Sequence, residues 1–130
     1  MADENKLIRC RMAACRELLD DDKEWSFYLI NDSNDHIDSV VLNQIWYEWG
    51  DLANSESVAS CVTDIGPGAH ALIWRDDGSG VEFRMILSVL ACVGDREVNL
   101  SFEFPKLYRQ RNLKLVNHLD KPGWEEVAEG

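Results

Sequence analysis

Basic residues are scarce in this chain: 13 Lys and Arg stand against 24 Asp and Glu in 130 residues, a formal net charge of -11. Nucleic-acid binding needs a basic face for the phosphates, and anionic membrane surfaces attract basic segments. The balance therefore argues against nucleic acid and against membrane as partners. With 45% hydrophobic and 28% charged residues at this length, we expect one folded domain rather than a disordered or repetitive chain.

The sequence also lacks the segments that direct export or membrane insertion. It begins with Met1, Ala2, Asp3 and Glu4, where a secretory signal would have a basic start and then an apolar run. No apolar run approaches the roughly 20 residues that a bilayer-spanning helix needs. We therefore expect a cytoplasmic protein.

Catalytic and metal-binding motifs are absent as well. The four cysteines, Cys10, Cys15, Cys61 and Cys92, show neither CxxC nor zinc-ligand spacing, so we expect reduced thiols that pack as small apolar side chains. No nucleophile-elbow or metalloprotease motif surrounds the three histidines, and no glycine-rich loop precedes a helical pattern. The sequence predicts a non-enzymatic protein that needs no cofactor.

The sequence has instead segments in which every second residue is apolar, the period of a β-strand. Every odd position from Val81 to Val93 is apolar, and so are Val98, Leu100 and the even positions up to Phe104. Gly94-Asp95 between the two runs is a tight-turn signal. This pattern predicts a β-hairpin over residues 81–104.

Similar but shorter patterns predict further strands. The long segment 37–49 is expected to bend or split near Asn43-Gln44. Residues 7–19 fit a helical face and a strand almost equally; we favour a strand, because residues 8–12 alternate and every later element is β. The other predicted strands cover residues 25–31, 58–62 and 71–75.

Six to seven short strands in about 100 residues, with no convincing central helix, predict an all-β fold. An antiparallel, immunoglobulin-like β-sandwich is the commonest solution at this size. We assign residues 1–105 to this sandwich domain. Residues 106–130 turn from basic to acidic, and we expect a short C-terminal appendage there: a short helix or final strand followed by a frayed end.

The negative charge is concentrated in one third of the chain. Residues 19–64 hold eleven acids and one base, Lys23, which leaves -10 there and -1 on the remainder. Residues 106–118 are basic and contain no acid. An acidic patch on one copy facing the basic arm of another would be a self-complementary contact about a two-fold axis, so Arg109 and Arg111 are interface candidates.

A cluster of aromatic residues is the second interface candidate. On a strand, Tyr47 and Trp49 share one face with Ile45, while Trp46 and Glu48 share the other. Trp46, Tyr47 and Trp49 on an exposed face would suit a protein interface, and an exposed Trp beside carboxylates would also suit a sugar ring. The alternative, that these aromatics belong to the core of a small sandwich, stays open.

Residues 32–38 resemble a calcium loop only in part. Asp32, Asp35 and Asp38 are weak calcium-ligand candidates, but the EF-hand requirements fail at His36, Ile37 and Asn43. The alternative is a set of Asx-turns at strand ends. The sequence as a whole predicts a module for protein–protein association or homo-oligomerisation, with a homodimer as one form; the alternative is a carbohydrate- or calcium-binding module.

Overall fold

The computed structural model describes residues 8–16, 24–49, 52–76, 83–105, 114–116 and 119–129. These ranges contain nine β-strands and no helix. The strands are β1 (Arg9–Arg16), β2 (Trp25–Asn31), β3 (Ile37–Trp49), β4 (Leu52–Ile65), β5 (His70–Asp76), β6 (Arg84–Val93), β7 (Arg96–Phe104), β8 (Lys114–Val116) and β9 (Lys121–Glu129).

The strands form two antiparallel sheets. The first sheet has the order β5-β2-β1-β9-β8, and the second has the order β4-β3-β6-β7. This architecture is consistent with a β-sandwich, so the predicted all-β class is confirmed. The strand interpretation of the first apolar segment is also confirmed, because β1 pairs with β2 from Cys10 to Arg16.

The core lies between the two sheets and follows from the alternation in the sequence. On β6 and β7 every second residue is buried, from Met85 to Ala91 and from Val98 to Phe104. The first sheet contributes Phe27, whose ring meets the Phe104 ring edge-on with 5.4 Å between centroids. Burial of these apolar side chains, at roughly 25 cal/mol per Å² of apolar area, holds the two sheets together.

The predicted hairpin is confirmed as β6 and β7. Val93 pairs with Arg96, which leaves Gly94 and Asp95 as a two-residue turn. Gly94 has a φ of +59°, a conformation that glycine adopts without a steric cost. Asp95 has a negative φ. This combination is the φ pattern of a type II′ turn, whose twist matches that of the flanking strands.

The expected irregularity in the long third strand is a β-bulge. The pairing of β3 with β4 and with β6 shifts register between Leu42 and Gln44. Leu42 and Ile45 are both fully buried although they are three residues apart. Because Asn43 is an extra residue, the core-facing position of β3 has an even number before the bulge, at Leu42, and an odd number after it, at Ile45.

The C-terminal segment is more closely integrated than the composition suggested. The expected appendage, residues 106–130, supplies β8 and β9 to the first sheet, and β9 pairs with β1 from Arg9–Glu129 to Cys15–Gly123. Along its described length, 121–129, it is a paired strand and not a frayed end.

Two acids of β9 are accommodated on opposite sides of the strand: Glu125 accepts from Arg11, and Glu126 accepts from Trp124 Nε1. The final-strand alternative for this segment agrees with β8 and β9.

Close packing of β9 against β1 makes Gly123 sensitive to substitution. A Cβ at Gly123 would lie 2.7 Å from the Ala14 carbonyl oxygen and 3.0 Å from Cys15 Sγ. We expect Gly123→Ala to lower the free energy of unfolding by about 1–3 kcal/mol, because a backbone oxygen cannot move aside cheaply.

The matched control is Gly66→Ala, where no atom lies within 4 Å of the added methyl group. Urea denaturation of both variants measures the difference. Equal stabilities for the two variants would contradict the close approach of β9 to β1.

Candidate functional site

The four-stranded sheet presents one face away from the core, which we call the outer face. On β6 the residues that alternate with the buried ones are partly exposed, and their partners on the neighbouring strands share that side. The outer face consists of Ser39, Val41, Gln44, Trp46 and Glu48 on β3; Arg84, Ile86, Ser88, Leu90 and Cys92 on β6; Ser55, Ser57, Cys61 and Thr63 on β4; and Glu97, Asn99, Ser101 and Glu103 on β7.

The outer face carries two apolar cross-strand pairs, which the polar row Gln44–Ser88 separates. Trp46 pairs with Ile86 across β3 and β6, and Val41 pairs with Leu90 two rows further along. The Trp46 side chain is 41% exposed, and the three aliphatic side chains are half-buried. An indole that keeps this much contact with water next to aliphatic neighbours is an anchor available to a partner.

Polar side chains line the outer face on both sides of these pairs, along β7 and along β4. On β7 the outward residues run from Glu97 to Glu103 and include two carboxylates. On β4 the outward residues from Ser55 to Thr63 are mainly hydroxyl-bearing. Gln44 Nε2 donates a hydrogen bond to Ser55 Oγ at 3.1 Å. Apolar and aromatic side chains within a polar surround are typical of protein interfaces.

One arginine links three strands at the end of the outer face. Arg84 donates to Glu48 on β3 through Nη1 and to Glu103 on β7 through Nη2, the latter at 2.8 Å. The negative charge of Glu48 raises the pKa of the Arg84 guanidinium above its ordinary value, and Glu103 adds to this effect. Both carboxylates are therefore engaged by a permanently positive partner.

The aromatic candidates divide between the two faces of β3 as expected. Trp46 is on the outer face, whereas Tyr47 packs partly against the core, donates a hydrogen bond to Glu56 Oε2 at 3.0 Å and meets the Phe83 ring edge-on. Trp49 belongs to β3, but its side chain lies outside the described residues. The predicted separation of Trp46 from Tyr47 is thus confirmed.

The basic arm of the predicted electrostatic dimer falls in a part of the chain that the structure does not describe. Arg109 and Arg111 lie outside the described residues, which resume at Lys114. Contact between this arm and an acidic patch on another copy therefore stays a prediction.

The calcium candidates have separate partners within the chain. Asp32 accepts hydrogen bonds from Arg11 at 2.7 and 3.1 Å, and the same guanidinium donates to Glu125 at 2.7 Å. Asp38 accepts from the Gly94 amide at 2.7 Å. In the part of the chain that the structure describes, no three His, Cys, Asp or Glu side chains are grouped to hold a metal ion.

The loop that carries these acids is organised by Asn31, which the sequence interpretation did not single out. Its buried Nδ2 donates to the carbonyl oxygens of Asp35 and Ile65 at 2.9 and 3.0 Å, and its Oδ1 accepts from the Ser33 amide. An Asn at the end of an apolar strand is the only signal of this role in the sequence. The arrangement supports the Asx-turn interpretation of residues 32–38.

The four cysteines are free thiols, but the expectation that they all pack as small apolar side chains is wrong for Cys61, which lies on the outward side of β4. Cys10 and Cys15 are buried, Cys61 is exposed and Cys92 is half-buried on the outer face. Burial, with a smaller contribution from Asp32, raises the pKa of the Cys10 thiol to about 12. Cys10 is therefore protonated and inert at neutral pH.

A shallow cleft of about 270 Å³ lies at the β8 edge of the first sheet, outside the outer face. Its size is below the usual range for small-molecule sites, roughly 300–1,000 Å³. The residues that line it are Lys114, Leu115, Val116, Gly123, Trp124 and Glu125.

No known protein family matches this chain, and no curated protein is significantly similar to it. The described ranges contain no helix of the length and apolar character that a membrane crossing requires. The function is therefore inferred from the geometry of the outer face.

The thiol environments predict a pattern of reactivity. Iodoacetamide at pH 8 should modify Cys61 and Cys92 in the folded protein but reach Cys10 and Cys15 only after unfolding, as mass spectrometry of the peptides would show. Because the pKa of the Cys10 thiol rises from its ordinary value of 9.0 in the unfolded chain to about 12 in the folded one, its contribution to stability should decline as the pH rises through that interval.

The control for the pH effect is Cys10→Ala, which removes the titrating thiol. The free energy of unfolding of the wild type should fall more steeply above pH 9 than that of the variant. Equal slopes would contradict the assigned environment of Cys10.

Because Asp32 and Asp38 are bound to different partners, Arg11 and the Gly94 amide, we expect that calcium does not stabilise the protein. Differential scanning fluorimetry with Ca²⁺, Mg²⁺ and a panel of simple sugars should leave Tm unchanged, because Asp32 and Glu48 already have arginine partners. A ligand at 100 times its Kd would add about 2.7 kcal/mol of stability. A shift of that size with Ca²⁺ or a sugar would favour the ligand-binding alternative.

Proposed function

We propose that this chain is a non-enzymatic β-sandwich module that associates with protein through the outer face of its four-stranded sheet. The observation that carries the proposal is Trp46, which is 41% exposed and pairs across strands with the half-buried Ile86 on the outer face. Tryptophan is the residue most enriched among interface hot spots, where one side chain contributes about 2 kcal/mol or more.

The contrast with the other sheet supports this assignment. On the outward side of the five-stranded sheet, Ala13, Cys15 and Ile30 form a small second core with Val116, and each is essentially inaccessible to water. That side of the sheet has already buried its apolar surface within the chain. The four-stranded sheet keeps its apolar surface available for a partner.

In the described parts of the chain, the other large apolar side chains with high exposure are isolated. Leu115 on β8 is 56% exposed and Val127 on β9 is 65% exposed, and they lie on different strands of the first sheet. Single exposed aliphatic residues are ordinary on protein surfaces. Trp46 and Ile86 differ because they are cross-strand neighbours, and a second such pair, Val41 and Leu90, lies two rows further along the same face.

The non-enzymatic part of the proposal is supported by the environment of His36. Its Nδ1 lies 3.2 Å from Asp38 Oδ1, and its Nε2 lies 3.6 Å from Asp64 Oδ1. Both ring nitrogens face carboxylates, so neither is directed at a nucleophile that it could deprotonate. The four free thiols support a cytoplasmic location as part of the same proposal.

We also propose that the sandwich is immunoglobulin-like. The order β4-β3-β6-β7 corresponds to strands C′-C-F-G of that fold, and β5-β2-β1 corresponds to E-B-A. On this assignment β8 and β9 extend the A-B-E sheet beyond strand A. The absence of paired cysteines separates the chain from the antibody type, which has a disulfide between strands B and F.

The carbohydrate- or calcium-binding alternative has less support. A sugar would compete for the carboxylates beside the aromatic ring, because Glu48 and Glu103 each already give one oxygen to Arg84. Protein association requires no such competition, since the ion pairs can remain at the border of the contact.

Site-specific photo-cross-linking tests the association. A photoreactive phenylalanine analogue replaces Trp46 in the full chain, and Val127 on the other sheet is replaced in the control. After irradiation in the cells from which the chain comes, we expect discrete protein adducts from position 46, and we expect Leu90→Glu on the same face to reduce them.

The masses of the adducts distinguish a second copy from a different protein. Adducts from position 46 that match those from position 127 in pattern and yield would overturn the association function of the outer face.

A further inference from the structure

We propose that the partner of the outer face is a second copy of this chain, packed face to face about a two-fold axis that runs parallel to the strands between β3 and β6. This inference rests on the proposed function and specifies its partner. It follows from the order and register of the four strands, which make the outer face complementary to itself under that rotation.

The rotation determines which strands meet. A two-fold axis along the strand direction reverses the order of the strands but keeps each residue at the same position along the strand axis. β3 therefore faces β6 of the second copy, and β4 faces β7 of the second copy. Each residue on β3 then meets the residue with which it is already paired in register, but on the other copy. Packed sheets cross at about 30°, so the match is best near the centre of the face.

In two of the five rows, this arrangement places apolar side chains on apolar side chains. Trp46 meets Ile86 of the second copy, and Val41 meets Leu90 of the second copy, because these are the β3–β6 pairs of two rows. Between them, Gln44 meets Ser88 of the second copy, a pairing of two hydrogen-bonding groups. Each contact occurs twice, so the dimer buries two indoles.

At the ends and borders, the arrangement avoids like charges in directly facing positions. Glu48 faces Arg84 of the second copy, which extends the ion pairs already present in each chain. On the borders, Glu103 faces Ser55 and Glu97 faces Thr63 of the second copy, so carboxylates meet hydroxyl groups that can donate to them.

The size of the outer face suggests a weak dimer. Four strands about 4.8 Å apart and five rows about 6.8 Å apart cover roughly 650 Å² of flat area per copy. Stable interfaces bury about 800 Å² per partner. We therefore expect a dimer that forms and dissociates in the micromolar range of concentration.

The net charge of the chain predicts the effect of salt. Two copies at -11 each repel one another, and among the described residues of the outer face Glu48 and Arg84 are the opposite charges that meet across the contact, so screening of the net repulsion should tighten the dimer. The acidic-patch and basic-arm contact expected from the sequence would instead weaken with salt. The direction of the salt effect distinguishes the two dimers.

Sedimentation equilibrium of the purified full chain measures the association. We expect the mass to rise from 14.9 kDa towards twice that value with concentration, and to rise further when the ionic strength is raised from low to physiological. Trp46→Ser should raise Kd at least about tenfold, the factor that corresponds to about 1.4 kcal/mol. Val127→Ser, on the other sheet, should leave Kd unchanged, and unchanged Tm values would show that both variants fold.

Cross-linking tests the orientation with a native thiol. In a Cys92→Ser background, Cys61 faces position 99 of the second copy, whereas Cys61 and Asn99 of one chain are three strand spacings apart. The variant tested carries Asn99→Cys in this background. Its reaction with a bismaleimide that spans the roughly 10 Å between packed sheets should give a dimer linked between positions 61 and 99. Val127→Cys in the same background is the control for chance collisions and should give little linked dimer.

A chain that stays monomeric up to submillimolar concentration, or equal linking by the 99 and 127 variants, would overturn the second copy as the partner. A dimer that weakens with salt and shows no 61–99 link would overturn the two-fold arrangement. Photo-adducts from position 46 to a different protein would also overturn the second copy as the partner while leaving the proposed association function intact. Absence of position-specific adducts and of a dimer would remove both.

Discussion

The register of β3 within the four-stranded sheet is the constraint on which the candidate surface depends. The extra residue at Asn43 lets Leu42 and Ile45 both point into the core. Without the bulge, a strict period of two would turn Trp46 inwards and Ile45 and Tyr47 outwards. One residue of register therefore decides whether the indole belongs to the core or to the surface.

The two sheets deal with their outward faces in different ways. The five-stranded sheet covers part of its outward side with side chains of its own chain, including Val116 against Ala13 and Cys15. The four-stranded sheet leaves the pairs Trp46–Ile86 and Val41–Leu90 partly exposed to water, which lowers the free energy of unfolding of the isolated chain. That difference makes the outer face of the four-stranded sheet the better suited of the two for association.

The shortage of basic residues shapes the electrostatics of both sheets. Arg11 on β1 holds Asp32 and Glu125, and Arg84 on β6 holds Glu48 and Glu103. In each case one guanidinium links two carboxylates from different parts of the chain, and its several donors make this possible. These pairs are partly exposed, so their effect lies more in the ordering of the sheet surface than in a large gain of stability.

The sequence by itself determined the all-β class, the β6–β7 hairpin, the irregular third strand and the separation of Trp46 from Tyr47. Each of these follows from local alternation and turn chemistry, which act over a few residues. Only the tertiary structure decided that β9 pairs with β1, that Asn31 organises the acidic loop and that Arg84 engages the acids beside Trp46. These features depend on contacts between residues far apart in the chain, such as Arg9 with Glu129, which no local pattern encodes.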